Sequence, residues 1–270
     1  MTPRGADAIR AALDERRELP ALIPYLTAGF PDQQSTPGLL LAAQRCGCRA
    51  AEVGIPFSDP LADGPTIQRS GFRALSQGMT VQRAIDSVRE ARAAGLTIPV
   101  VFMTYLNPVL SHGVGRFAAE AAAAGADGLI LADVPVDEAD EVRSVVQAAG
   151  LALIPLVAPT TTPDRLQRIC DTASGFVYCV GVTGVTGARS AVSADALRLL
   201  AAVRDCTQLP RALGFGLSRH EHMELLAGHT EAVVVGSALI DAVYRDPADP
   251  PRAAERFLLG MLGRREAQPA

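Results

Sequence analysis

Short apolar runs alternate with longer segments of helical period along almost the whole chain. Eight of the runs are near-continuously apolar and too short to be helices: residues 21–28, 50–55, 99–103, 128–132, 152–157, 176–180, 212–215 and 232–235. Unbroken apolar character, rather than strict alternation, is what a strand buried on both faces requires. Between them, residues 81–94 and 164–172 carry apolar positions three and four apart, and Ser193 before Ala194-Asp195-Ala196 reads as the serine cap of another helix. Eight strands with intervening helices predict an α/β fold, a (β/α)8 barrel with an extra N-terminal helix ahead of the first strand. An open doubly wound sheet fits the same alternation if the strand count is off by one or two. The pattern runs without a linker, so one domain is expected over 1–270, with the polar tail at about 264–270 fraying.

Composition supports a large core, since 49% of the 270 residues are hydrophobic and 20% are charged. The formal net charge of −4 supplies no footprint for nucleic acid or for an anionic membrane surface. The segment Met1-Thr2-Pro3-Arg4-Gly5-Ala6-Asp7 has no apolar stretch of signal type, and no later run approaches a membrane span. A cytoplasmic protein is expected.

Candidate chemistry concentrates in the run from Ala51 to Pro65, AEVGIPFSDPLADGP. Glu52 sits inside a strand candidate among Ala, Val, Gly and Ile, where an unpaired ionised carboxylate is costly and its pKa is driven toward neutrality. Two prolines and then Gly64-Pro65 make the following loop stiff, so Asp63 can fold back toward the strand. Two carboxylates in unlike surroundings can divide acid and base work. A paired core charge at Glu52 and a helix cap at Asp63 fit the same residues.

Other chemistries are narrowed by what the chain lacks. All 25 of its Lys+Arg positions are arginine. Without lysine, neither a class I aldolase nor a pyridoxal enzyme can form its Schiff base here. His112, His220, His222 and His229 show no metal-ligand spacing with one another or with Cys or carboxylates, and His220-x-His222 reads as an exposed helix start. Cys46-x-Cys48 is too close for Cys-x-x-Cys chemistry, while Cys170, Cys179 and Cys206 stand apart in apolar or helical surroundings; all five read as reduced thiols.

In a barrel, functional groups gather at the C-terminal ends of the strands. Thr27, Glu52, Tyr105, Asn107, Asp133 and Tyr178 all fall in or just after strand candidates. Asp133 before Val134-Pro135 also fits a turn, and Tyr178 a core aromatic. Three glycine clusters follow late strands: Gly181-Val182-Thr183-Gly184-Val185-Thr186-Gly187, Gly214-Phe215-Gly216, and Gly236-Ser237 at a helix start. Backbone amides at such places suit a phosphate, although each cluster alone is also an ordinary turn.

These residues resemble the α subunit of tryptophan synthase almost end to end. The resemblance is carried by Pro24-Tyr25-Leu26-Thr27-Ala28-Gly29, the block from Glu52 to Gln68, Met103-Thr104-Tyr105, Asn107-Pro108, Ala132-Asp133-Val134-Pro135, Pro155-Leu156-Val157-Ala158-Pro159-Thr160, Gly184-Val185-Thr186-Gly187, Gly214-Phe215-Gly216 and Gly236-Ser237. It implies a (β/α)8 lyase that cleaves indole-3-glycerol phosphate to indole and glyceraldehyde 3-phosphate with no cofactor in this chain. It further implies Glu52 and Asp63 as catalytic carboxylates, Tyr25, Thr27, Tyr105, Asp133, Tyr178 and Thr186 around the substrate, and Gly187, Gly216, Gly236 and Ser237 at the phosphate. The family often carries Phe at the position of Tyr25, and some members carry a polar residue at that of Val182. A pyridoxal phosphate-dependent β subunit in an α2β2 complex is the implied partner, with the loop from Pro56 to Pro60 and the Asn107-Pro108 region as contact surfaces. A lyase that works alone and a non-catalytic regulatory barrel are the competing readings.

Overall fold

The computed structural model describes residues 4–14, 18–181, 192–214 and 216–264. Its strands are β1 (Ala21–Thr27), β2 (Ala51–Gly54), β3 (Val100–Thr104), β4 (Gly128–Leu131), β5 (Ala152–Leu153), β6 (Leu156–Val157), β7 (Val177–Val180), β8 (Arg211–Gly214) and β9 (Ala232–Val235). All described pairings are parallel, in the order β5-β4-β3-β2-β1-β9-β8-β7-β6.

The order closes on itself because β5 and β6 are two halves of one stave. Ile154 N–H donates to Leu129 O at 2.9 Å on one side, and Pro155 O accepts from Tyr178 N–H at 3.0 Å on the other. The expected single strand at 152–157 is thus interrupted at Ile154-Pro155, since proline has no N–H for the ladder. Eight staves result, as the hydrophobic pattern requires, and the open doubly wound alternative is excluded.

The helices of the described residues are α1 (Ala6–Leu13), α2 (Ser35–Cys46), α3 (Pro65–Ser76), α4 (Val81–Ala93), α5 (Leu106–His112), α6 (Val114–Ala124), α7 (Asp140–Ala148), α8 (Pro163–Thr172), α9 (Ala194–Cys206), α10 (His220–Leu225), α11 (Ser237–Arg245) and α12 (Pro250–Met261). The serine cap is present: Ser193 Oγ accepts from Ala196 N–H at 3.1 Å. α10 begins at His220, but His222 is buried, with its Nδ1 accepting from Ser218 N–H at 3.2 Å, so only the helix start and not the exposure matches expectation. The five cysteines are free thiols, and Cys206 near Cys170 helps burial push the Cys170 thiol up to about 11. No helix is long and apolar enough to cross a membrane among the described residues. Arg264 donates its N–H to Leu259 O at 2.8 Å and its guanidinium to Cys46 O at 3.4 Å, so order extends to the first residue of the expected frayed tail. The remaining tail, 265–270, lies outside the described residues.

The extra N-terminal helix closes the N-terminal end of the barrel. Ile9 of α1 is fully buried, and its Cδ1 lies 3.1 Å from where a Cβ on Gly128 would stand and 3.4 Å from one on Gly175. Asp127 pins this arrangement. Its carboxylate accepts from Gly5 N–H at 3.2 Å, Val100 N–H at 3.0 Å and the Arg92 guanidinium at 2.9 Å, joining α1, β3 and the end of α4. Arg92 also donates to Gly125 O, Leu96 O and Ile98 O. The closed end is therefore a structural brace, and the opposite end is free for chemistry. Asp127→Ala leaves two buried amides without an acceptor and the largely buried Arg92 guanidinium without its counter-charge, and should cost about 3 kcal/mol of stability in urea unfolding.

Candidate active site

β2 supplies the central group because its four residues are wholly buried and its second residue is Glu52. Glu52 is 0% exposed, and neither of its carboxylate oxygens has a hydrogen-bond partner. Burial alone pushes its pKa up to about 8. The paired-core-charge alternative therefore fails, since Glu52 lacks the partner that a structural buried charge needs.

Tyr25 of β1 stands in register beside Glu52, while Tyr178 approaches from β7. Both phenols are raised above their usual pKa, mainly by burial, and the charge of Glu52 adds to each. Their hydroxyls rest on glycines of the neighbouring strands. A Cβ on Gly54 would come 2.0 Å from the Tyr25 hydroxyl oxygen, and one on Gly214 would come 1.9 Å from that of Tyr178. Glycine is required at both places by close approach.

The loop after β2 returns Asp63 to the same end of the barrel. Gln68 of α3 braces it, donating to Asp63 O at 3.0 Å and Pro60 O at 3.3 Å. Tyr105 holds it from the β3 side: its hydroxyl accepts from Ala62 N–H at 2.9 Å and hydrogen-bonds the Asp63 carboxylate. Partial burial raises the Asp63 pKa to about 6, the Tyr105 bond opposing the rise. Burial and the Asp63 charge push Tyr105 up to about 12. Asp63 does not cap α3; Gly64 occupies that position, followed by Pro65 in the first turn. The helix-cap alternative fails with it.

Tyr25, Thr27, Asp63 and Tyr105 line one cavity with apolar walls from Ile55, Phe57, Ile67, Met103 and Ala132. The enclosed volume is about 20 Å³, room for roughly one water, so a ring-sized ligand must open the walls. A larger cavity of about 460 Å³ lies beyond Ala132, along Asp133, Pro155, Leu156 and Arg165. It contains neither Glu52 nor Asp63; Asp63 lines the smaller cavity, and Glu52, though not in its lining, stands beside the Tyr25 of its wall, which makes the smaller cavity the chemical centre. Asp133 is outside that centre: its Oδ1 accepts from Leu106 N–H at 2.8 Å at the start of α5, directly after Tyr105. It supports Tyr105 through the backbone.

Next to β1, β9 and β8 end beside each other. Gly216 follows β8 with φ +73°, and Gly236 precedes α11, whose first turn has no side-chain cap and begins at Ser237. A Cβ on Gly236 would lie 3.3 Å from Tyr25 Cβ, so the Tyr25 ring bridges this amide-rich edge and the Asp63 cavity. Thr186 and Gly187 lie outside the described residues. Sequence reasoning gave no role to Ser70, Gln68 or the apolar wall. Ser70 is polar at a position that helix α3 turns inward, which was its only available signal. Among the described residues no group of three or more His, Cys, Asp or Glu could hold a metal ion.

Because Glu52 binds its proton more tightly folded than unfolded, its ionisation lowers stability as pH rises from about 4.5 to about 8. Glu52→Gln should remove this loss, so the stability of the variant relative to the native chain should increase between pH 5 and pH 8 in urea unfolding. An unchanged difference across that range would contradict the buried, unpaired state.

Comparison with known proteins reaches nearly the whole chain. Residues 11–265 match the family model described as tryptophan synthase alpha chain. The tryptophan synthase alpha chain of Chloroflexus aggregans is 48% identical over 225 residues, covering 83% of this chain and 84% of the relative. That of Xanthomonas campestris pv. campestris is 44% identical over 259 residues, 94% of each. Among solved structures, a chain from the tryptophan synthase a2b2 complex of Pyrococcus furiosus superposes with a TM-score of 0.86 at 40% identity, covering 92% of this chain and 100% of that one. Tryptophan synthase subunit alpha from Legionella pneumophila gives 0.85 at 34% identity, covering 94% and 96%.

Proposed function

Because the chain belongs to the tryptophan synthase alpha chain family, a lyase family of tryptophan biosynthesis, we propose that Glu52 and Asp63 carry its cleavage of indole-3-glycerol phosphate to indole and D-glyceraldehyde 3-phosphate. Its partner is the β subunit of an α2β2 complex. The observation that supports the residue assignment is the pairing of a buried, unpartnered Glu52 with an Asp63 held by Tyr105.

At neutral pH Glu52 holds a proton and Asp63 does not. Glu52 gives its proton to the indole carbon that bears the glycerol chain. Asp63 accepts the ring N–H and balances the positive charge that spreads over the ring. The Glu52 carboxylate then takes the proton of the adjacent side-chain hydroxyl as the carbon–carbon bond breaks. The bonding electrons return to the ring, and an aldehyde leaves. One carboxyl thus acts as acid and then base, and only its isolation in an apolar strand lets it begin protonated.

The phosphate is assigned to Gly216, Gly236 and Ser237, where uncapped amides and the dipole of α11 favour an anion. Gly187 at the phosphate and Thr186 at the substrate belong to the same assignment, and both lie outside the described residues. Tyr25, Thr27, Tyr105 and Tyr178 surround the ring, and Asp133 positions Tyr105. The proton transfers need no cofactor in this chain, pyridoxal phosphate belonging to the β subunit. A cytoplasmic protein of one domain over 1–270 fits this role.

Activity should follow a bell, falling below about pH 6 as Asp63 protonates and above about pH 8 as Glu52 loses its proton. The kcat/KM of indole release, measured across pH with the β subunit present, checks both limbs. Asp63→Asn should lower kcat by about 10²–10³ with little change in KM, as expected for an interaction that strengthens in the transition state. Near-native turnover in Asp63→Asn or Glu52→Gln would overturn the assignment. Strong indole release without added β subunit would instead indicate a lyase that works alone.

A further inference from the structure

The four residues that end in Asp63 form a closed turn that stands in solvent. Asp63 N–H donates to Pro60 O at 3.1 Å, and Leu61 within the turn is 94% exposed. Ala62 is exposed as well, so side-chain packing does little to hold this turn in place. Polar bonds from two side chains do so instead. The Tyr105 hydroxyl accepts from Ala62 N–H at 2.9 Å. Gln68 Nε2 donates to Pro60 O at 3.3 Å and to Asp63 O at 3.0 Å, so both protons of its amide are spent on the turn.

Two bonds from one planar amide fix direction as well as distance. With them the backbone around Asp63 is fully committed: its N–H goes to Pro60, its C=O accepts from Gln68, and the N–H before it goes to Tyr105. Only the side-chain torsions of Asp63 stay open. Gln68 can serve as a fixed point because α3 is itself moored. Its own N–H donates to Gly64 O at 3.0 Å in the first turn of α3. Two residues on, Ser70 is 1% exposed, and its Oγ lies 2.7 Å from Thr27 Oγ1 at the end of β1. The placement of β1 thus reaches Asp63 through Ser70, α3 and Gln68, as that of β3 reaches the turn through Tyr105. Gln68 borders the cavity that Asp63 lines, but it has no N–H left to offer a ligand there.

We propose that Gln68 is a positioning residue of the cleavage that acts through Asp63: its amide holds the turn so that the Asp63 carboxylate meets the indole N–H at the distance and angle the transition state needs. This rests on the assignment of Asp63 to the ring nitrogen made above. On an unbraced turn the carboxylate would spend part of its time away from the place where positive charge develops, and a displacement of about 1 Å is enough to slow a reaction severely. Substrate binding draws mainly on the apolar walls and the phosphate amides, so the loss belongs to kcat rather than to KM. The role lies in the two donated protons, since an apolar side chain of equal length fills the same space.

The test is steady-state cleavage of indole-3-glycerol phosphate by the chain assembled with its β subunit, for Gln68→Met and Gln68→Lys. Gln68→Met keeps the length of the side chain and removes both donors; it should lower kcat about tenfold and leave KM within about twofold. Gln68→Lys returns donors to the end of an unbranched chain and should regain most of that loss. Binding of indole-3-propanol phosphate, which carries the ring and phosphate but cannot be cleaved, should be unchanged in both and shows that the variants are folded. Native kcat in Gln68→Met overturns the proposal, whether or not stability in urea falls, because the brace would then serve the fold alone. A rise in KM with kcat unchanged overturns it too, as does a Gln68→Lys variant as slow as Gln68→Met. Asp63→Asn measured alongside separates the two levels: near-native turnover there means that the underlying assignment is wrong, and a slow Asp63→Asn beside a native Gln68→Met means that only the role of Gln68 is lost.

Discussion

A carboxyl group with no partner inside an apolar barrel is the constraint to which the rest of the structure answers. Neither carboxylate oxygen of Glu52 has a hydrogen-bond partner, and the cost of its ionised form keeps it protonated near neutral pH. A less complete barrel would admit water and return the group to its ordinary acidity. Closure across the broken stave at Ile154-Pro155 and the plug of α1 beneath therefore bear on the chemistry as well as on the fold.

Asp63 is governed by the opposite strategy. It comes from a loop rather than a strand, keeps partial access to solvent, and is given hydrogen bonds by its surroundings. Two carboxyls of similar intrinsic acidity are thereby separated into one that starts protonated and one that starts ionised. The separation depends on Tyr105, whose place is set by Asp133 at the start of α5.

Glycine shapes the space between them. Gly54 and Gly214 leave room for two phenols to lie flat along their strands, which brings aromatic walls and hydroxyls to the reacting end.

The chain alone determined the alternation of strand and helix, because unbroken apolar runs between helical spacers read as parallel strands buried on both faces; closure into a barrel rather than an open doubly wound sheet was decided by the pairing of the strands. It also singled out Glu52 and Asp63, since a carboxylate in such a run is conspicuous, and the Glu52 to Gln68 block carried the family resemblance. It left undecided whether Glu52 was paired and whether Asp63 capped α3, because both questions concern groups distant in sequence. Tertiary structure decided them: no partner reaches Glu52, Gly64 stands at the cap of α3, and Tyr105, just after β3, reaches Asp63. Ser70, the bracing role of Gln68 and the support of Tyr105 by Asp133 were likewise invisible, since a lone serine or glutamine carries no pattern until folding turns it toward a partner. Periodicity encodes which residues are buried, whereas acidity and hydrogen-bond direction depend on which buried residues meet.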